Sequence, residues 1–262
     1  MVFFSAFIFV ASAFMGEVVA PSPDTGIAEP AVLSEKAVIV LLQGMGRGRA
    51  SLWVLDTRLQ SEGYETLNFP YVAHSRSIEE MAEQFHDFLD EKLDNRPYHI
   101  IAHSLGTVIV RAAFEKELPP GLGRVVLIAP PNKPTELLRV LKENPVYQWF
   151  TGSSGQQVAS DEFYEKLPVP SVEFGIIAGD RGHEFTLRGP NDGVITVEST
   201  RLPGMSDWIV TPHAHNFLAN SRQVAALCLS FLRQGSFDRA LTATDLPRSE
   251  EETRDSDDGR ES

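Results

Sequence analysis

The 262-residue chain is 42% hydrophobic and 23% charged, which supplies enough apolar side chains for one large core and excludes a chain that is unstructured throughout. Its 36 acidic and 23 basic residues give a formal net charge of −13, and because such a surface repels phosphate backbones, no nucleic-acid partner is expected. The single cysteine, Cys228, excludes an intramolecular disulfide and a metal site built from several cysteines.

The two ends of the chain differ in composition from its middle. Residues 1–35 begin with an apolar run that is too short to span a bilayer and is followed by small residues of the signal-cleavage type. This predicts a signal or membrane anchor, and hence an exported or membrane-associated protein. Because no Lys or Arg precedes the run, a mis-chosen start or an apolar arm is the alternative, and the protein would then be cytoplasmic. Residues 236–262 are polar and acidic, which predicts a solvated, disordered tail.

Residues 36–235 carry alternating signals for strands and helices and make up the predicted folded domain. Short β-branched runs predict buried strands, and apolar residues at the helical period predict the helices between them. In chain order the predicted elements are strand 37–42, helix 51–62, strand 65–69, helix 78–93, strand 98–102, helix 105–116, strand 124–128, strand 172–178, strand 207–211 and helix 221–233. This order predicts an α/β fold with a mostly parallel central sheet and helices on both faces.

The second predicted helix has the clearest boundaries. Ser77 is a good N-cap, and Glu80 stands three residues later as its capping-box partner. Apolar residues then recur at helical spacing as far as Leu93. In the same way, Ser51 is the predicted N-cap of the first helix, which Gly63 would end.

The segment Ala102-His103-Ser104-Leu105-Gly106 joins the third predicted strand to the next helix. In that context the pattern is typical of a nucleophile elbow, a strained turn that exposes a serine hydroxyl at the carboxyl edge of a sheet. The residues two before and two after the serine must be small, and Ala102 and Gly106 meet that requirement. Ser104 is therefore the predicted nucleophile; the alternative is that it only caps the helix that follows.

A serine nucleophile needs a base to take its proton and N–H donors to stabilise the oxyanion that forms. The turn Gln43-Gly44-Met45-Gly46 follows the first predicted strand, and the predicted oxyanion donors are the N–H groups of Met45 and Leu105. A Gly-rich turn after a strand can also begin a dinucleotide site. The third spaced glycine of that motif and the acidic residue after the next strand are both missing here, so no cofactor is expected.

Four segments in chain order resemble the α/β-hydrolase superfamily, and in particular its small lipase and esterase branch. They are Leu42-Gln43-Gly44-Met45-Gly46, Ala102-His103-Ser104-Leu105-Gly106, Gly189-Pro190-Asn191-Asp192-Gly193-Val194 and His215-Asn216-Phe217-Leu218. The resemblance covers residues 36–233 and implies the α/β-hydrolase fold. It departs from many relatives at Gln43, where they carry a histidine that braces the oxyanion turn.

The resemblance implies a triad in the order Ser, Asp, His, with Asp192 as the acid and His215 as the base. Asp180, at the end of a predicted strand, is the alternative acid, and His213 is the alternative base. His215 is preferred because Phe217 and Leu218 behind it would anchor its loop on the core. A histidine pair two residues apart can also bind metal, but no acidic or cysteine ligand adjoins it, so no metal is expected.

The function that the resemblance implies is cleavage of carboxylic esters through an acyl-enzyme on Ser104. The protein is expected to be a monomer. Its partner would be a small-molecule or lipid ester. The alternatives are an acyltransferase or thioesterase with the same triad, and a catalytically inactive binding module. Residues 131–171 are too long for a plain crossover, which predicts a cap that walls an acyl pocket, or else a helix packed on the sheet.

Overall fold

The computed structural model describes residues 37–44, 52–73, 76–133, 161–183 and 187–243. In chain order the described elements are β1 (Val38–Leu42), α1 (Trp53–Ser61), β2 (Glu65–Asn68), α2 (Ile78–Leu93), β3 (Tyr98–His103), α3 (Leu105–Ala113), β4 (Leu122–Ile128), α4 (Asp161–Lys166), β5 (Phe174–Gly179), a single 3-10 turn (Glu198–Thr200), β6 (Asp207–Thr211), α5 (His215–Leu218), α6 (Arg222–Gln234) and α7 (Ala240–Ala243).

The described strands form one six-stranded sheet in the order β2-β1-β3-β4-β5-β6. Every neighbouring pair is parallel, so the predicted α/β class with a mostly parallel sheet is confirmed. The strand order reverses between β1 and β3, because β2 lies on one side of β1 and all later strands lie on the other. Open parallel sheets form their sites at the carboxyl ends of the strands where the order reverses. The turns that follow β1 and β3 meet at that point.

Successive side chains of the central strands point to opposite faces of the sheet, so each strand contributes to two apolar clusters. On one face, Val40, Leu42 and Ile100 pack in a cluster with residues of α2 and α3. On the other face, Leu41 and Ile101 pack with residues of α1 and α6. Because helices cover both faces, β1 and β3 are buried along their whole length.

The helix boundaries agree with the sequence where local capping decides them. The Ser77 side chain accepts the N–H of Glu80, and the Glu80 carboxylate accepts the N–H of Ser77, so the predicted capping box is confirmed. Helix α3 ends three residues earlier than predicted. There the N–H of Glu115 bonds the carbonyl oxygen of Ala112 at 3.0 Å, and this i to i−3 bond ends the α-helical pattern. The predicted cap of α1, Ser51, lies outside the described residues.

The start of the predicted C-terminal tail is folded. Phe237 is buried in the cluster below α6, and Leu241 of the short helix α7 packs against the same cluster. The side-chain amide of Gln223 donates to the carbonyl oxygen of Leu241 at 2.7 Å. The boundary predicted at 236 is therefore too early, because two apolar side chains anchor a segment whose average composition is polar. Residues 244–262 lie outside the described residues.

The predicted leader, residues 1–35, lies wholly outside the described residues. The central part of the predicted cap region, residues 134–160, also lies outside them. The described end of the cap region includes α4, where Tyr164 and the following Leu167 pack in the same cluster as α2 and α3. Within the ranges that the structure describes, no helix is both long enough and apolar enough to cross a membrane.

His99, near the start of β3, is a buried histidine whose protonation is linked to folding. Its Nδ1 atom accepts the backbone N–H of Arg124 at 2.8 Å, so this nitrogen carries no proton. Burial, with a smaller contribution from the positive charge of Arg124, lowers the pKa of His99 to about 4. In the unfolded chain the pKa of a histidine side chain is about 6.5. Between these values the unfolded state binds more protons, so the free energy of unfolding falls as the pH falls through this window.

We expect His99→Asn to weaken this pH dependence, because an asparagine side-chain oxygen can accept the Arg124 N–H without titrating. Urea unfolding at pH 7 and at pH 4.5 measures the change in the free energy of unfolding. The wild-type protein should lose about 2 kcal/mol more than the variant between the two pH values. Equal losses in the two proteins would contradict the buried, neutral state of His99.

Candidate active site

Ser104 occupies the tight turn between β3 and α3. Its backbone has φ +53° and ψ −122°, a conformation that residues other than glycine rarely adopt. The turn is held by two backbone hydrogen bonds, from the Ser104 N–H to Ile128 O and from the Thr107 N–H to Ser104 O, both 2.9 Å long. The Ser104 side chain makes no capping bond to α3. The hydroxyl is therefore directed away from the helix, and the helix-cap alternative does not describe its role.

Gly106, two residues after the serine, permits the close approach of α3 to the end of β1. A Cβ atom at this position would lie 2.6 Å from the carbonyl oxygen of Gln43 and 2.8 Å from that of Leu42. Both distances are shorter than real Cβ contacts, so any side chain here would push the helix and the strand end apart. The small residue that the elbow pattern requires is thus explained by backbone contact with β1.

His215, the first residue of α5, links the serine to a carboxylate. Its Nε2 atom lies 2.9 Å from Ser104 Oγ, and its Nδ1 atom lies 2.7 Å from Asp192 Oδ2. A carboxylate only accepts hydrogen bonds, so Nδ1 carries the proton and Nε2 accepts the serine hydroxyl. Asp192 and His215 are both buried. The three residues therefore form a continuous chain of hydrogen bonds that ends at the carboxyl edge of the sheet.

The Asp192 loop fixes the carboxylate in place. Asp192 Oδ1 accepts the backbone N–H groups of Val194 at 2.9 Å and of Ile195 at 2.7 Å, which leaves Oδ2 for the histidine. The carbonyl oxygen of Asp192 also accepts the N–H of His215 at 2.8 Å. Gly193 takes a positive φ of 98° in the same turn. One oxygen of the carboxylate closes the turn and the other bonds the His215 imidazole, so the turn-forming aspartate is also the one that reaches the histidine.

The helical turn α5 is anchored by one of the two residues expected to do so. Leu218 is completely buried, whereas Phe217 is 67% exposed. The expectation is therefore right for Leu218 and wrong for Phe217, because neighbouring residues of a helical turn point in different directions.

Asp180 and His213, the alternative acid and base, lie nearby but outside this chain of hydrogen bonds. The backbone N–H groups of both residues bond the carbonyl oxygen of Thr211, at 3.1 and 2.8 Å. His213 Nδ1 is buried without a hydrogen-bond partner among the described residues, and burial lowers the pKa of His213. Neither side chain has a hydrogen bond to Ser104 in the described part of the chain. The structure thus brings Asp192 and His215 to Ser104, and their catalytic roles stay predictions.

The oxyanion side of the site is described in part. Leu105 is the first residue of α3, and the first N–H groups of a helix have no acceptor within it, so the Leu105 N–H needs an acceptor from outside the helix. Met45, the second predicted donor, lies outside the described residues. The end of β1 comes close to the serine, because a Cβ atom at Gly44 would lie 3.1 Å from Ser104 Cβ.

Tyr71, which sequence reasoning missed, braces this strand end. Its hydroxyl donates a hydrogen bond to the carbonyl oxygen of Gln43. Burial raises the pKa of Tyr71, which keeps the hydroxyl protonated and able to donate. The strand end is thus braced by a side chain beyond β2. The one signal in the sequence is that Tyr71 follows the predicted strand 65–69, and the structure places that strand beside β1.

The described residues contain no cluster of three or more His, Cys, Asp or Glu side chains that could hold a metal ion. The groups that the structure places in the candidate site are the Ser104 hydroxyl, the His215 imidazole and the Asp192 carboxylate.

Comparison with known proteins defines the family. Residues 37–175 match the family model of the alpha/beta hydrolase fold, so the chain belongs to this family. No protein with a curated description matches the sequence. The resemblance to the α/β-hydrolase superfamily, inferred from the motifs, is confirmed.

Several solved structures share the fold. The lipase BlEst2 from Bacillus licheniformis has a TM-score of 0.60 and 15% identity, over 87% of this chain and 96% of that one. A soluble variant of the monoglyceride lipase from Saccharomyces cerevisiae has a TM-score of 0.55 and 10% identity, over 79% and 88%. The esterase EaEST from Exiguobacterium antarcticum has a TM-score of 0.51 and 13% identity, over 76% and 92%. At these identities the likeness shows the fold alone.

We expect Gly106→Ala to destabilise the protein, although glycine to alanine in a helix ordinarily stabilises it by about 1 kcal/mol. The added methyl group would meet the carbonyl oxygens at the end of β1, and the resulting strain should lower the free energy of unfolding by about 1 to 3 kcal/mol. Urea unfolding at pH 7 measures this change. Unchanged or increased stability would show that α3 and β1 are not in close contact at this point.

Proposed function

We propose that the protein is a serine esterase that hydrolyses carboxylic esters through an acyl-enzyme on Ser104. The observation that carries the proposal is the chain of hydrogen bonds from Ser104 Oγ through His215 to Asp192, with the serine held in a strained turn at the sheet edge. The same geometry supplies a nucleophile, a base and an orienting carboxylate, which together activate a hydroxyl group that is otherwise a weak nucleophile.

In the first half of the proposed reaction, Ser104 Oγ attacks the ester carbonyl carbon while its proton passes to His215 Nε2. The carbonyl oxygen becomes an oxyanion, which the Leu105 N–H stabilises, together with the N–H expected from Met45. When the tetrahedral intermediate collapses, the bond to the alcohol oxygen breaks and His215 gives its proton to that oxygen. The alcohol leaves and the acyl group stays on Ser104.

In the second half, water takes the place of the alcohol. The water oxygen attacks the acyl carbon while His215 removes a proton from the water. His215 then gives this proton to Ser104 Oγ as the ester bond to the serine breaks. The carboxylic acid leaves and the free serine is restored. Asp192 stabilises the imidazolium that forms in each half, because its Oδ2 atom accepts the Nδ1 proton at 2.7 Å.

The proposed substrate class is a small-molecule or lipid ester of a carboxylic acid. It is supported by the motif resemblance to small lipases and esterases, and the solved structures that share the fold are lipases and an esterase by name.

The apolar leader supports a second, separate proposal, that the protein works outside the cytoplasm or at a membrane.

We expect Ser104→Ala and His215→Ala to lower turnover of a short p-nitrophenyl ester by about 10⁴-fold to 10⁶-fold, because the residues of a triad act as a unit. Asp192→Asn should lower it by up to about 10⁴-fold, because the amide oxygen would accept the N–H groups of Val194 and Ile195 and the NH2 group would face His215 Nδ1. A donor there favours the imidazole tautomer with its proton on Nε2, which cannot take the serine proton. The matched controls are His213→Ala and Asp180→Asn, which change the neighbouring residues of the same type and should keep most of the activity.

Initial rates, measured after circular dichroism has confirmed folding, decide between the two pairs. Larger losses in the His213 or Asp180 variants would contradict the corresponding assignment. Small and equal losses in all variants, or activity within tenfold of wild type for Ser104→Ala, would contradict the proposed function.

A further inference from the structure

His103, the last residue of β3, is buried beside the site but belongs to neither the triad nor the predicted oxyanion donors. Only 2% of its surface is exposed. Its ring lies 4.9 Å from the ring of His215, centroid to centroid, at an interplanar angle of 40°. The residue stands immediately before Ser104, so the strand that presents the serine also places this imidazole next to the base.

The far end of the His103 ring is bonded to the backbone of the base. His103 Nε2 lies 3.2 Å from the carbonyl oxygen of His215. A carbonyl oxygen has no proton to give, so Nε2 carries the hydrogen and donates it. His215 is therefore held through its carbonyl oxygen as well as through its N–H and its two ring nitrogens.

The near side of the same ring faces the end of β1. A Cβ atom at Gly44 would lie 3.2 Å from His103 Nδ1 and 3.1 Å from Ser104 Cβ. The imidazole therefore fills the space between the strand end that leads to the oxyanion turn and the helical turn that carries the base. A shift of the ring would change the distance between these two parts of the site.

We propose that His103 is a positioning residue, which sets the distance between the base, the nucleophile and the oxyanion turn through its bond to His215 and its contact with Gly44. The inference rests on the proposed function and deepens it. The described contacts of the His103 side chain are with the ring and carbonyl oxygen of His215 and with Gly44, so it acts on the reaction through these neighbours. Because a misplacement of about 1 Å can cost about 100-fold in rate, loss of this bond should lower kcat and leave KM nearly unchanged.

Two replacement side chains of similar length separate the effect of the hydrogen bond to His215 from the effect of packing. In His103→Gln the side-chain amide can still donate to the carbonyl oxygen of His215, whereas the thioether of His103→Met cannot. With a short p-nitrophenyl ester, we expect His103→Met to lose about 10-fold to 100-fold in kcat, with KM within about twofold of wild type. His103→Gln should recover most of that loss, and both variants should unfold at similar urea concentrations.

The contact between His103 and Gly44 gives a second test, in which the histidine itself is retained. Gly44→Ala adds a methyl group 3.2 Å from His103 Nδ1 and 3.1 Å from Ser104 Cβ. Because these neighbours must shift to admit it, kcat should also fall by about tenfold or more. Equal kcat values for the Gln and Met variants, or full activity of Gly44→Ala, would overturn the positioning role. If the wild-type protein hydrolyses the ester and the variants give either of these results, only the role of His103 is contradicted. If the wild-type protein does not hydrolyse the ester, the proposed function is contradicted as well.

Discussion

The close contact between the end of β1 and the start of α3 is the constraint on which the site depends. The missing side chain at Gly106 lets the helix begin directly beside the carbonyl oxygens of Leu42 and Gln43. With the helix in that place, the chain must turn sharply after β3, and Ser104 takes the positive φ that such a turn requires. The strain at the serine is therefore maintained by the packing of two backbones, and the burial of β1 and β3 on both faces holds those backbones in register.

Three segments that are far apart in the sequence meet at this turn because of the sheet. All described strands run in the same direction, so the residues that follow β3, β5 and β6 emerge at one edge. Ser104 follows β3 directly, His215 follows β6, and Asp192 lies in the loop between β5 and β6. The hydrogen bonds of Asp192 to its own loop orient its carboxylate so that Oδ2 faces His215. The site thus needs the fold to bring its parts together and local turns to aim them.

Much of this arrangement could be predicted from the sequence, because local signals determine it. The capping box of α2, the buried runs of β1 and β3, and the small residues on both sides of Ser104 are all properties of short segments. The motif resemblance favours Asp192, and the apolar residues behind His215 favour that histidine; the structure brings this pair to the serine.

The remaining features depend on contacts between distant segments, which no short pattern reveals. The bond of Tyr71 to the Gln43 carbonyl joins residues 28 positions apart, and the bond of His103 to the His215 carbonyl joins residues 112 positions apart. The folded start of the predicted tail was missed for a related reason. Its polar average hides Phe237 and Leu241, whose burial depends on the cluster beneath α6.

The central claim, that Ser104 is a nucleophile activated by its surroundings, is tested most directly by reacting the wild-type protein with a fluorophosphonate and mapping the adduct by peptide mass spectrometry. Such reagents form a covalent bond with an activated serine and release fluoride, while ordinary hydroxyl groups remain unreacted. We predict one adduct per chain, on the peptide that contains Ser104, and none after unfolding in urea, because activation requires the folded geometry. No adduct on the folded protein, or an adduct on a different serine, would contradict the account.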